Sequence, residues 1–255
     1  MIKAKIKGIE YNIPIKWSDI TYQQFIQVEK SEGQNEMISA LTGIPIEIID
    51  AAPNEQLNKL IIALQFVQLK FKPQEFEIPD SIIVNGKEIK YVSDIREKTF
   101  GQKIYLHEVL KSSENNLYSI IPDLVAIYSQ PYIDDTEFDI NAIEQIKVLL
   151  KDVFFVDLYS TAIGYINQLK QIIADEEKTL SSEPDANQKL AGVEMFQQFG
   201  VMNTIKALAN NDITKYAEIE KLEYNTVFIH MRMNKVQNDF NDNYRKVLEQ
   251  EGKNK

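Results

Sequence analysis

The side chains that most often carry chemistry are few in this sequence and poorly spaced for it. His107 and His230 are the two histidines, each in a stretch that reads as helix, with no second His, Asp or Glu at metal-ligand spacing. Both therefore read as surface or core histidines. The acidic group Asp134, Asp135, Glu137 and Asp139 lacks the central glycine and closing glutamate of a calcium loop and reads as solvated charge. With no cysteine, disulfides, thiolate catalysis and cysteine-based metal sites are excluded together, which fits a reducing compartment. The nine glycines form neither a phosphate-binding loop nor a nucleophile elbow, and His-Glu-x-x-His is absent. The expectation is a non-enzyme with no catalytic residue, no cofactor and no metal. Its competitor is a small hydrolase built from scattered carboxylates, a class that leaves no local signature.

Charge narrows the partners. A formal net charge of −10 argues against a protein that grips a phosphate backbone, because that affinity comes from clustered Lys and Arg. No nucleic-acid partner is expected, although an acidic mimic of DNA stays open as a third class. Val153 to Val156 is among the longest uninterrupted apolar runs, far short of the ~20 residues of a membrane span. Met1 to Ile15 has no continuous apolar segment of the signal-peptide kind, so the protein is expected inside the cell that makes it.

Binding is the chemistry that remains, and the last helix is where the pattern favours it. That helix opens around Tyr224-Asn225-Thr226 and carries Met231, Met233, Val236, Phe240, Tyr244 and Val247, the candidate partner-binding residues. Methionines beside Phe228 and His230 give a flexible, polarizable surface suited to adaptable contacts, though the filling of core gaps is the commoner role of such methionines. Val227 to Met231 is expected to bury on the parent domain, leaving the distal half for a neighbour.

These residues are positioned by elements legible from periodicity. Apolar residues from Ile143 to Ile172 recur at three- and four-residue steps, predicting one central helix over Ala142 to Ile173 with Phe154 in the core. Ile2 to Ile15 alternates around Gly8 as a hairpin, and Thr21-x-x-Gln24 opens a helix as a capping box. A helix near Asn35 to Leu41 ends at Gly43, and a Leu-rich stripe follows from Leu57 to Phe71. A second hairpin turns at Asn85-Gly86; Ser93-Asp94-Ile95 and Thr99-x-x-Gln102 then repeat Ser18-Asp19-Ile20 and Thr21-x-x-Gln24, with Arg96 to Lys98 as three extra residues. Both hairpins are expected in one mixed sheet. Leu117 to Tyr128 reads as an apolar helix, and Glu114, Asp123 and the Ser129 to Asp139 loop as the acidic surface. Asp175 to Gln188 reads as a linker, and Leu190 to Leu208 as one or two helices broken near Gly200. The fold class is α+β, predominantly α-helical, with two N-terminal β-hairpin-plus-helix units followed by a helical bundle. The expected divisions are 1–112, 113–180 and 181–255, the last two open to being one helical domain.

Three stretches together carry a resemblance to a known group. They are Ile13-Pro14-Ile15-Lys16-Trp17-Ser18-Asp19-Ile20-Thr21-Tyr22-Gln23-Gln24-Phe25 with Ala40-Leu41-Thr42-Gly43-Ile44 and the helix from Leu57 to Phe66; Ile121 to Ile127 with Phe154-Phe155; and Phe199 to Ala209, Asp212 and Leu222 to Phe228. Together they resemble tail-assembly or tape-measure chaperones and neighbouring virion-module proteins of tailed bacteriophages, especially those of Bacteroides-type hosts. The resemblance implies a non-enzymatic assembly factor, or a ring, connector or cargo component retained in the virion. Its implied partners are other phage proteins of the tail, tape-measure or head–tail junction, with self-association as a further option. The implied location is the bacterial host cytoplasm during assembly, or the virion. The resemblance supplies no catalytic residue.

Overall fold

The computed structural model describes residues 1–69, 71–112, 116–184 and 186–253, so Glu114, and Asp185 within the expected linker, lie outside the described residues. The fold is 69% helical, with two small antiparallel sheets of two strands each, and so is predominantly α with some β. The chain divides into two compact units, Met1–Val92 with Ser113–Tyr165, and Ser93–Ser112 with Ile166–Lys255.

In the first unit, β1 (Ile2–Ile6) and β2 (Ile9–Ile13) pair in the register Ile2 to Ile13 and Ile6 to Ile9. They turn at Lys7-Gly8, where both residues have positive φ, as a two-residue hairpin turn requires. A 3-10 turn at Trp17–Asp19 leads to α1 (Tyr22–Glu29), capped by Thr21 and Gln24 in a reciprocal capping box. Then follow α2 (Gln34–Thr42), stopped by Gly43 in the left-handed region, α3 (Ile46–Asp50) and α4 (Asn54–Ala63). The second hairpin is β3 (Ser81–Val84) and β4 (Lys87–Lys90), turning at Asn85-Gly86. In the second unit, α5 (Phe100–Ser112) follows a 3-10 turn at Ile95–Glu97. The first unit is completed by α6 (Leu117–Asp134), α7 (Ile143–Leu150) and the opening of α8 (Phe155–Leu180), whose residues from Ile166 onward belong to the second unit. The second unit continues with α9 (Ala186–Leu190), α10 (Val201–Leu208), α11 (Tyr216–Lys221) and α12 (Tyr224–Lys253).

The hairpin-plus-helix repeat is present in the backbone, but its register differs from the sequence expectation. From turn glycine to capping threonine is 13 residues in both copies, Gly8 to Thr21 and Gly86 to Thr99, so the offset is a constant 78 and no residues are inserted. The 3-10 turns Trp17–Asp19 and Ile95–Glu97 are the equivalent pair, and Ile20 corresponds to Lys98. The Ser-Asp-Ile match is therefore out of register. Each copy then makes the same long-range contact. Thr21 bridges Phe154, with Tyr22 N–H donating to Val153 O and Phe155 N–H to Ile20 O; Thr99 bridges Glu223, with Phe100 N–H donating to Leu222 O and Tyr224 N–H to Lys98 O. In each case a capped helix start is tied to the start of a later, longer helix, α8 or α12.

That tie explains why the expected central helix is two. Lys151 to Phe154 leave the helical path so that Val153 and Phe155 can exchange backbone hydrogen bonds with the strand-like residues before α1. Phe154 consequently points outward, 41% exposed, whereas Phe155 is fully buried. The core residue is Phe155, not Phe154. Phe155 stacks on Phe25 at 3.9 Å between centroids and lies among Trp17, Phe71, Tyr118 and Tyr159. A second aromatic group joins Tyr91, Tyr128 and Tyr165, and Gly164 is needed there because a Cβ on it would fall 2.5 Å from the Tyr91 hydroxyl.

Other expectations are also revised. The hairpins form two separate sheets; Pro14 directly after β2 and Pro79 just before β3 remove donors where further pairing would begin. The Leu57 to Phe71 stripe stops being α-helical at Ala63, since a 3-10 turn at Gln65–Gln68 buries Phe66 against Trp17. Ser129 to Asp134 belongs to α6, with Ser129 and Gln130 buried, so the acidic loop is only 135–139. The expected linker begins at Ser181, because α8 continues through Leu180.

Candidate interaction surface

Several residues with catalytic or ligating potential are held in structural contacts. Gln130 organises the acidic loop, its amide nitrogen donating to Asp134, Thr136 and Glu137 O while its oxygen accepts from Asp139 N–H; Asp135 pairs with Lys87 at 2.8 Å. His107 is half-buried and its pKa lies below the usual histidine range, first through desolvation and then through Lys111 and Lys103. Among the described residues no group of three or more His, Asp or Glu could hold a metal ion. The space beside Thr161, a buried hydroxyl without a hydrogen-bond partner among the described residues, leaves no room for a water molecule. Among the described residues no helix is long and apolar enough to cross a membrane.

The second unit builds a firm base for α12. Lys103 on α5 reaches Glu176 on α8 with both carboxylate oxygens 2.9 Å away, and the Tyr224 hydroxyl donates to the same carboxylate at 3.1 Å. Arg96 pairs with Asp175 at 2.6 Å. Tyr224 also packs near the Phe100 ring, stacks on Phe228 and lies under the Lys103 ammonium. Burial of Tyr224, and then the negative charge of Glu176, pushes its pKa far up, so it serves as a donor and not as a titrating acid. Gly101 allows α5 to approach α11, since a Cβ there would lie 3.1 Å from Glu220 O. Tyr224 and Val227 are buried, Phe228 and Met231 half-buried, and Ile229, His230 and Met233 exposed.

Beyond that base α12 lies open among the described residues. From Val236 to Gln250 every residue is exposed. Val236, Phe240, Tyr244 and Val247 lie on this segment and Met233 just before it, all between 50% and 69% exposed, and Leu248 extends the set. The Phe240 and Tyr244 rings stack at 6.1 Å, giving one flat aromatic face. Met231, by contrast, is partly covered by its own unit. The helix here includes Asn238, Asp239, Asn241, Asp242 and Asn243, residues that each disfavour helix by roughly 0.6 kcal/mol relative to alanine. Local pairs, Lys235 with Asp239 and Gln237 with Asn241, offset this only in part. Propensity alone therefore supports this segment weakly, and helices in folded proteins draw most of their stability from a packed apolar face.

A groove of about 370 Å³ lined by Leu208, Ile219, Leu222, Val227, Ile229 and Met233 adjoins the stripe. A second apolar set escaped the sequence reading: Leu190, Met195, Phe196, Phe199 and Met202 are exposed. Their spacing suits an α-helical stripe, but Val193–Phe199 is a 3-10 stretch, in which residues three apart eclipse, so Phe196 and Phe199 fall on one face and Met195 on another, and all three are exposed. The adjacent Met195-Phe196 pair was the available signal. Comparisons with protein-family models, with curated proteins and with solved structures find no match.

Proposed function

We propose that this chain is a non-enzymatic assembly protein of a tailed bacteriophage, similar to tail-assembly chaperones, that acts by binding other phage proteins through the distal half of α12. The observation that carries the proposal is the stripe Met233, Val236, Phe240, Tyr244 and Val247 on a helical segment exposed on all sides. The resemblance of the N-terminal, Ile121 to Ile127 and C-terminal stretches supplies the phage context. An acidic chain of net charge −10 also stays off packaged DNA, as a protein working beside a genome must. The partners are tail, tape-measure or head–tail components met in the host cytoplasm. The test is affinity capture from infected cells together with mass spectrometry of purified particles. Recovery with phage proteins from lysates alone marks a chaperone, stoichiometric presence in particles marks a retained component, and recovery of no phage protein refutes the proposal.

A further inference from the structure

The first hairpin has an unpaired edge. β1 has β2 on one side and no strand on the other among the described residues. In a ladder closed by a two-residue turn, the residues flanking the turn exchange both hydrogen bonds, and bonded and non-bonded pairs then alternate. Ile6, Ala4 and Ile2 therefore spend their backbone groups on β2, whereas Lys3 and Lys5 each turn an N–H and a C=O away from it. Both lysines are exposed, as is Lys7 in the turn. Lys3 reaches Glu10 at 2.6 Å, while Lys5 and Lys7 have no ionic partner among the described residues. On the other face of β1, Ile2 is 53% exposed and Ala4 and Ile6 are half-buried.

Lysine on a free edge commonly serves only to keep further strands away. The second copy of the motif shows that this hairpin does not need such a guard. At the offset of 78, Lys3, Lys5 and Lys7 correspond to Ser81, Ile83 and Asn85. β3, with β4 as its single neighbour, has no basic residue and leaves Ile83 60% exposed. The three lysines belong to the first edge alone, in a chain whose net charge is −10.

We propose that the free edge of β1 is a docking site for an extended acidic segment of another protein, which joins the hairpin as an antiparallel third strand. Residues directly opposite in an antiparallel pair share a face, so acidic side chains fall opposite Lys3 and Lys5, and the apolar residues between them extend the face of Ile2 and Ile6. The segment thus alternates acidic with apolar residues. Its acidic residues are also the ones whose backbone groups bond to Lys3 and Lys5. A second copy of β1 does not serve, because it would set Lys3 against Lys5 twice. Duplex DNA offers phosphates to the lysines but no donor to the open C=O groups, and the net charge of the chain repels it.

The probe is a blocked octapeptide of alternating valine and glutamate, titrated into the full chain and followed at the Lys3 and Lys5 backbone amides by NMR. Both amides shift downfield as they gain acceptors, and the peptide binds about tenfold or more tightly than its valine–lysine isomer. N-methylation of the glutamates abolishes the shifts; N-methylation of the valines, whose N–H groups face away from β1, leaves them. The charge of the peptide is unchanged by either, so the pair separates strand addition from simple attraction. Lys5→Gln with Lys7→Gln weakens binding about tenfold at low salt and leaves the melting temperature in place. Lys5→Pro removes one outward N–H, spares the ladder to β2 and abolishes binding. Binding that ignores which nitrogens are methylated, or that is equal for the two isomers, overturns the proposal. So does an absence of shifts at Lys3 and Lys5, displacement of the peptide by duplex DNA, or a dimer of the free chain that Lys5→Pro dissolves.

Discussion

Thr21 and Phe154 face one another across an isolated antiparallel bridge, and Thr99 and Glu223 do the same in the second copy of the motif. In both, the threonine that bridges also caps the helix that follows: Thr21 Oγ1 accepts from Gln24 N–H and Thr99 Oγ1 from Gln102 N–H, each at 3.2 Å. Thr21→Ala and Thr99→Ala should therefore each cost about 1 kcal/mol. Denaturant titration of the two single variants and the double variant tests this. If either substitution is silent, the capping box there contributes nothing.

The bridge also determines which of two adjacent phenylalanines matters. Phe155→Ala removes a fully buried ring stacked on Phe25 and should cost about 3–5 kcal/mol. Phe154→Ala removes a ring that is 41% exposed and should cost well under half as much. Equal losses of stability would show that the break between α7 and α8 is misplaced.

The Lys103–Glu176 pair makes a different demand. Lys103 is 8% and Glu176 21% exposed, so each charge is largely withheld from water when its partner is removed. Lys103→Met or Glu176→Gln alone should destabilise the second unit toward the lower end of the ~3–5 kcal/mol found for broken buried pairs, because Glu176 keeps some solvent contact. Lys103→Met combined with Glu176→Met should recover much of that loss. A double-mutant cycle reads the coupling, and additive losses would refute it.

Tyr22 gives the fold an alkaline limit. Its hydroxyl donates to Tyr118 O at 2.9 Å, and burial, then the nearby Asp123 charge, pushes its pKa up to about 12. A pKa raised in the folded state means that the folded chain holds more protons than the unfolded one between pH 10 and about 12, so stability falls as pH rises through that window. Tyr22→Phe should cost about 1 kcal/mol at pH 7 through the lost hydrogen bond. It should also show a shallower decline above pH 10. A variant and parent with parallel decline would show that Tyr22 ionises freely in the fold.

Local signals predicted local structure well and tertiary ties poorly. The turns at Gly8 and Asn85-Gly86, the capping boxes, the stop at Gly43 and the start of α12 at Tyr224 rest on neighbouring residues, and the chain forms them as read. The break at Lys151 to Phe154 was illegible because no proline or glycine marks it; the hydrogen bonds that compensate come from Ile20 and Tyr22, far away in sequence. The 78-residue offset was present in the sequence all along, but the shared Ser-Asp-Ile triplet drew the alignment out of register. The exposure of the α12 stripe depends on what the rest of the chain leaves uncovered, and periodicity does not report that.

The two halves of α12 should accordingly separate stability from association. Tyr224 is buried and tied to Glu176, Phe100 and Phe228, so Tyr224→Ala should cost about 3–5 kcal/mol, and Phe228→Ala, half-exposed, distinctly less. Phe240→Ala with Tyr244→Ala removes only exposed rings. At low protein concentration, where mass action adds nothing to the folded state, that double variant should melt within a degree or two of the parent. Its association should nonetheless weaken by ~2 kcal/mol or more, the scale of aromatic hot spots at interfaces. Thermal melting of dilute protein and binding by sedimentation or calorimetry measure the two effects independently. If the double variant unfolds while the folded remainder binds normally, the distal half of α12 is part of the core, and the acidic loop at 135–139 becomes the surface to examine for a partner.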